Sequence, residues 1–240
     1  MAKAVSTKKP TKTKPKRSLI RRVLWQGFRA LCAVFVFVVF LIVLGAVVNP
    51  PSTIYMSQES RRLGGVDHEW VSIDEIAPVM ARSVVAAEDA NFCSHWGFDL
   101  AAIKLAIAQG GNRGASTLSQ QTVKNVFLWH GRNYTRKAME ALITPLLEAL
   151  WSKRRIIEVY LNVAEFDEGV FGVEAAARHY FGVGPENLSA VQAARLAAVL
   201  PNPKGRSASK PTSSLRKRSR QILDGAATIR VDGRAACFES

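Results

Sequence analysis

The sequence predicts a mainly α-helical body preceded by a single transmembrane helix. Three observations carry that expectation. An uncharged apolar run, "ALCAVFVFVVFLIVLGAVV", fills residues 30–48. From Ser72 onward, apolar residues recur at helical spacing between cap and breaker residues, and no strand-like alternation is sustained. A chain of 240 residues suits one folded domain plus an anchor.

The first element is a basic tail, residues 1–29, expected in the cytoplasm. Residues 1–58 hold no Asp or Glu. Ten of the 33 Lys and Arg lie at or before Arg29, which leaves 23 against 19 acidic residues in the rest. The basic character therefore belongs mostly to the tail. No nucleic-acid-binding signature appears elsewhere, so nucleic acid is not an expected partner. Next comes the apolar run. At about 1.5 Å per residue it spans roughly 28 Å, close to the hydrocarbon core of a bilayer. Trp25 and Phe28 stand at its basic end, where interfacial aromatics belong, and Asn49-Pro50-Pro51 ends it. The run exceeds the roughly 7–15 apolar residues of a cleaved signal, and it has no polar face of the kind a soluble helix shows. The positive-inside rule then puts the body outside the cytoplasm.

Residues 49–70 read as a juxtamembrane linker and residues 71–225 as the folded domain. Within the domain, "SIDEIAPVMARSVVAAED" opens on Ser72 with Glu75 three residues on, a capping-box pattern. "DLAAIKLAIAQ" opens on Asp99 and stops before Gly110-Gly111. "STLSQQTVKNVFLW" opens on Ser116. The long stretch "TRKAMEALITPLLEALWSKRRIIEVYLN" contains Pro145, which is expected to kink or split it. "GVEAAARHYFG" and "SAVQAARLAAVL" are two more helices, the second ended by "PNP". "SLRKRSRQILDGAATI" reads as one surface helix, and residues 226–240 as a C-terminal tail. The total is seven to ten helices with no internal repeat. Three cysteines, Cys32, Cys93 and Cys237, do not indicate a disulfide framework; a Cys93–Cys237 bridge stays open in an oxidising compartment.

Three polar constellations interrupt this Ala- and Leu-rich background. Glu88 and Asp89 follow Val84-Val85-Ala86-Ala87 and precede Phe92, His95, Gly97 and Asp99. A carboxylate after an apolar run is partly desolvated, and desolvation raises its pKa toward that of a useful base. The plainer alternative is a surface residue at a helix end. His95 has no Cys or His partner at zinc spacing. The second constellation is "RGASTLSQQTVKN". Gly114 permits close backbone approach, and Ser116 or Thr117 can cap a helix. Gln120 with Lys124 and Gln121 with Asn125 form adjacent i,i+4 stripes on a polar face. A helix N-terminus with a lysine suits a phosphate, although the spacing is not that of a P-loop. A solvated face is the alternative. The third is "RKAME". Arg136 and Glu140 at i,i+4 favour a helix salt bridge on spacing alone; Glu140 as the second carboxylate of a glycosyl-transfer site is the other reading.

Taken together, these segments resemble the peptidoglycan glycosyltransferases, glycosyltransferase family 51, over about residues 71–211. The resemblance rests on ordered motifs: "EDANFCSHWG", "GASTLSQQTVKN", "RKAME", "KRRIIEVYLN", then "GVEAAARHYFG" followed by "LAAVLPNP". The chain stops soon afterwards, without room for a transpeptidase domain, so the monofunctional kind is expected. The resemblance implies a lysozyme-like, mainly α fold. It implies polymerisation of lipid II into β-1,4-linked glycan, with release of undecaprenyl diphosphate and inversion at the donor carbon. By resemblance Glu88 is the base that deprotonates the acceptor hydroxyl, and Glu140 the second carboxylate near the donor pyrophosphate. Lys124, Arg136 and Lys137 match phosphate-holding positions. Ser116, Gln120 and Gln121 match donor-site polar residues, and Asp89, Phe92, His95, Gly114, Thr117 and Asn125 belong to the same motifs. A divalent cation, Mg or Mn, is expected with the substrate pyrophosphate, and no organic cofactor. The expected partners are lipid II, lipid-linked glycan, inner-membrane lipid, and division or penicillin-binding proteins. The short link from Gly110 to Arg113 stands where relatives often carry a longer mobile segment. A lytic transglycosylase would share the fold but lack the "QQTVKN" phosphate site; a non-catalytic scaffold would show decayed motifs.

Overall fold

The computed structural model describes residues 19–110, 114, 116–131 and 133–239. Most of the basic tail, and the link at residues 111–113, lie outside them. The described helices are α1 (Leu19–Val47), α2 (Ile54–Leu63), α3 (Pro78–Glu88), α4 (Leu100–Ala108), α5 (Leu118–Phe127), α6 (Tyr134–Leu150), α7 (Lys153–Val163), α8 (Val173–Phe181), α9 (Ala190–Val199), α10 (Ser213–Val231) and α11 (Ala236–Glu239). Three short strands, β1 (Asp67–His68), β2 (Glu165–Asp167) and β3 (Val170–Phe171), form one sheet in the order β1-β3-β2. β1 runs parallel to β3 with Asp67 opposite Val170, and β2 runs antiparallel to β3. Strands of two or three residues are too short to show alternation in the sequence.

The chain divides into a unit ending at Leu41 and a unit beginning at Ile42. The first is helical from Leu19, eleven residues before the apolar run begins, and takes in Arg21, Arg22 and Arg29. Leu31, Phe35, Phe37 and Phe40 are all exposed. Apolar side chains on every face with nothing packed on them suit a lipid solvent, and this helix is long and apolar enough to cross a membrane. The last turn of α1 belongs to the second unit. Ile42 is fully buried, and its carbonyl accepts a 2.7 Å hydrogen bond from Trp151 Nε1. The Arg155 guanidinium donates to the Gly45 and Val48 carbonyls at 3.0–3.1 Å. These are the carbonyls a helix C-terminus leaves unpaired, and a cation there also suits the helix dipole.

The expected linker is folded. Thr53 caps α2 by accepting from Met56 N, and Gly64, in the left-handed region, ends it. Few apolar residues marked that helix, because it buries only Met56 and Glu59. The Ser72–Glu75 capping box forms, but on a 3₁₀ turn (Ile73–Glu75); α3 begins at Pro78. Asp99 caps α4 as expected, accepting from Ala102 N at 2.8 Å. On α5 the cap is Thr117, one residue after Ser116. Pro145 lies inside α6, which runs unbroken from Tyr134 to Leu150.

Two packing layers frame the site. In one, α3 packs on α9 and α10. Met80, Val84 and Val85 of α3 are fully buried, with Leu196, Ala197 and Val199 of α9 and Ile222 of α10. Small residues let the helices approach closely: a Cβ on Gly225 would sit 3.1 Å from Ala86 Cβ. In the other, α5 packs against α6 and α7. Leu118, Val123, Leu147, Ile156 and Val159 are buried there.

The expected C-terminal tail is packed structure. α10 continues to Val231, and α11 lies against α7. Phe238 is fully buried near the Phe92 ring, and its carbonyl accepts from Arg154 Nη1 at 3.1 Å. Cys93 and Cys237 are joined by a disulfide, with Cα atoms 5.7 Å apart. The sequence leaves this bridge open without deciding for it, because its members are 144 positions apart and nothing local reports their meeting. Cys32 is free and exposed.

Candidate active site

Glu88 is the last residue of α3, and the chain turns sharply there. Asp89, buried at the cap, holds two elements at once. Its Oδ2 accepts from Leu118 N, the first residue of α5, at 2.9 Å, and its Oδ1 lies 2.8 Å from His95 Nε2. The α5 N-terminus is fastened again by the Thr117–Gln120 capping box and by Thr117 Oγ1 donating to the Gly97 carbonyl at 2.7 Å. Gly97 has φ +81°, and a Cβ there would meet Thr144 Cγ2 of α6 at 2.7 Å. A turn this close to α6 in the left-handed region requires glycine. Phe92 is fully buried beneath the Lys153 ammonium, 4.3 Å from its ring centroid. Lys153 also donates to the His95 carbonyl and to Glu148, which accepts from Ser119 Oγ.

This frame presents Glu88 and one face of α5 to a cleft. Gln121 Nε2 donates to Glu88 Oε2 at 2.9 Å, while Gln121 Oε1 accepts from Tyr160 OH at 3.2 Å. The Tyr160 bond orients the amide, so Glu88 faces an N–H and acts as acceptor. Burial raises the Glu88 pKa; the Gln121 bond and the charges of Arg218 and Lys124 pull the other way without cancelling it. Glu88, Gly114, Ser116, Thr117 and Arg218 line one cavity of about 240 Å³. Gln121, Lys124, Asn125, His130 and Tyr160 line another of about 390 Å³.

Beyond Lys124 stands a second carboxylate. Glu140 on α6 is 2% exposed; its Oε2 accepts from Arg136 Nη1 at 2.9 Å, and its Oε1 accepts from Lys137 Nζ. Lys137 also donates to Ser116 Oγ at 2.9 Å, which joins the "RKAME" helix to the start of α5. Lys124 forms no ion pair among the described residues. Burial lowers its pKa, and it feels the attraction of both Glu140 and Glu88 and the repulsion of Arg136 and Lys137. Two carboxylates, Glu88 and Glu140, and three basic side chains, Lys124, Arg136 and Lys137, thus share a region built by α3, α5 and α6.

Comparison with known proteins agrees. The family described as transglycosylase matches residues 56–227. A biosynthetic peptidoglycan transglycosylase of Jannaschia sp. (strain CCS1) is 60% identical over 219 residues, 91% of this chain and 90% of the relative. One of Caulobacter vibrioides is 44% identical, covering 92% of this chain and 97% of the relative. One of Cronobacter sakazakii is 57% identical, covering 65% of this chain and 66% of the relative.

The chain belongs to the transglycosylase family.

In this transglycosylase domain the expected site residues divide by position. Glu88, Ser116, Gln121 and Lys124 reach the cavities, and Glu140 anchors the Arg136 and Lys137 cations behind them. Asp89 and Thr117 do both, lining the Glu88 cavity and holding the frame together with Phe92, His95 and Gln120. Gly114 lines the Glu88 cavity, and Asn125 is buried with its Oδ1 3.3 Å from His130 Nε2. The broad polar face read on α5 is therefore turned into the protein and the cleft rather than into solvent.

Some of the site was not read from sequence. Tyr160, His130 and Arg218 had no assigned role, though Tyr160 sat in a quoted motif. His130 stacks on Tyr55 with ring centroids 3.5 Å apart, and its pKa is pushed down to about 4 by burial and by the Lys124 and Arg136 charges. It stays neutral near neutral pH, beside Lys124.

The protein alone does not fit a resident cation. Among the described residues no three His, Cys, Asp or Glu side chains converge, and both Glu140 oxygens already accept from cations. Magnesium sites commonly take one or two carboxylates plus substrate phosphates.

Proposed function

We propose that this chain is the inverting enzyme that polymerises lipid II into β-1,4-linked glycan for the cell wall, with Glu88 as its base. The observation that carries the reading is the desolvated Glu88 carboxylate, oriented by Gln121 in one cavity wall, with Lys124, Arg136 and Lys137 grouped on the adjacent helices. The acceptor's 4-hydroxyl gives its proton to Glu88 as its oxygen bonds to the donor's C1. The bond from C1 to the lipid pyrophosphate breaks on the opposite face, so configuration inverts. The leaving pyrophosphate gains charge, and preorganised cations stabilise it as that charge develops. Glu140 acts through Arg136 and Lys137, holding them in place. The expected Mg or Mn ion belongs, on this reading, with the substrate pyrophosphate and not in a protein cage.

The body is proposed to lie in the periplasm, anchored in the inner membrane by α1 with the N-terminus in the cytoplasm. The basic tail supports that orientation. The Cys93–Cys237 disulfide supports it independently, because such bonds persist in oxidising compartments. Further partners are proposed among the penicillin-binding and division proteins that share the glycan.

The test is incubation of the purified protein with labelled lipid II. Polymer is expected from the wild type, and a loss of at least tenfold in kcat/KM from Lys124→Ala, since a hydrogen bond to a charged group is worth about 1.5–3 kcal/mol. Shortened glycan from sacculi, without polymer from lipid II, would turn the reading to a lytic enzyme.

A further inference from the structure

A third cleft, about 840 Å³, opens between the loop after α9 and the start of α10. Four cations line it: Lys204, Arg206, Lys210 and Arg218. Its one carboxylate, Asp167, is already engaged by Tyr180 OH at 2.7 Å, His179 Nε2 at 3.2 Å and Glu168 N at 2.8 Å. Lys204 is paired with Glu59. Arg206 and Lys210 form no ion pair among the described residues, and Arg218 acts on Glu88 only at longer range, lowering its pKa without pairing with it. Arg206 donates to the Ala198 carbonyl and Arg218 to the Ala87 carbonyl, both neutral acceptors. The cleft therefore carries an uncompensated positive charge and attracts an anion.

Its position narrows the ligand. It shares Arg218 with the Glu88 cavity, and Asn202 and Lys204 with the Lys124 cavity. The shared residues place it next to both cavities. On the proposed function, on which this inference rests, the substrate has two anionic parts. The pyrophosphate is matched by Lys124, Arg136 and Lys137. The other is the peptide carried by the muramyl sugar, with several carboxylates and a run of amides. The wall hydroxyls of Ser207, Thr212 and Ser214 are already bonded within the protein, so the charges of the cleft decide its ligand. We infer that this cleft is a subsite for the carboxylate-bearing stem peptide of the substrate, with Lys210 and Arg206 as its cationic anchors.

The test compares two probes: lipid II with its full peptide, and the same lipid pyrophosphate disaccharide without the peptide. Steady-state polymerisation is measured for the wild type, Lys210→Glu, Lys210→Arg and the double variant Arg206→Gln/Lys210→Gln. The double variant is expected to raise KM for peptide-bearing lipid II about three- to tenfold, the range two partly exposed charge pairs supply, with kcat held. KM for the peptide-free substrate stays as in the wild type. Lys210→Glu, at an exposed position outside the core, shows the same selective rise with an unchanged melting temperature, and Lys210→Arg restores the wild-type value. Equal losses on both substrates would assign the cleft to the pyrophosphate and overturn the inference, as would no change on either. A wild type that polymerises neither probe would defeat the glycosyltransferase reading itself, a result distinct from both.

Discussion

Ionising Glu88 where it stands is costly, because protein has replaced much of the water around its carboxyl, and that cost is what makes it a stronger base. A base must be unprotonated to act, and a raised pKa keeps it protonated to higher pH. The acid limb of kcat/KM should therefore lie above the ordinary carboxylate range, and Glu88→Gln should abolish that limb with a rate loss of about 10²–10⁴-fold. Stability moves oppositely. The native state holds the Glu88 proton more tightly than the unfolded chain does, so ionisation weakens the fold as pH rises from the unfolded-state value toward the raised one. Glu88→Gln should melt at or above the wild type near neutral pH, with the difference vanishing in acid; a variant that is both less stable and still active would make Glu88 a structural residue. The desolvation of Glu88 was legible from the four apolar residues that precede it, whereas its assignment as a base rests on the motif resemblance. Gln121 was legible as a polar residue but not as the group that orients Glu88, since its own orientation comes from Tyr160, 39 positions further on.

Several elements were legible from a side chain that caps its own helix. Asp99 and the Ser72 and Thr117 boxes report within three residues of themselves. Others were illegible where long-range contacts did the holding. α2 is a short polar helix that sequence alone reads as a linker, and α11 is four residues long, fixed by Cys237 and by Phe238 packing near Phe92. Pro145 shows the limit of a local rule: one missing backbone donor is tolerated when α6 is packed against α5. The α11 clasp yields a measurement. A disulfide closing a long loop typically contributes about 2–5 kcal/mol. Reduction, or Cys93→Ala/Cys237→Ala, should lower the melting temperature by about 5–15 °C in a domain of this size. Calorimetry with and without dithiothreitol checks it, and an unchanged transition would mean the pair is not bonded in the protein as isolated.

For the whole molecule the testable statement is orientation. A reporter fused after Ser240 that works only in the periplasm should be active, and one that works only in the cytoplasm should be silent. The mature chain should retain its N-terminal tail; a mature protein beginning near Asn49 would instead mean that α1 is removed. The division into a lipid-suited helix and a helical body was readable from composition alone, because the two parts answer to different solvents. The folding of residues 42–70 into the body was not, because Trp151 and Arg155, more than a hundred positions later, hold that segment's first turn.

The bridge between Cys93 and Cys237 also imposes an order of events. On the proposed topology, a body exported behind α1 delivers the "EDANFCSHWG" segment early and Cys237 late. Until then the turn beside Glu88 has no α11 behind it and a thiol open to other disulfides. The workmanship of the site is thus finished at the end of export, and a cell short of thiol oxidant would accumulate enzyme that is full-length, correctly inserted and incompletely assembled.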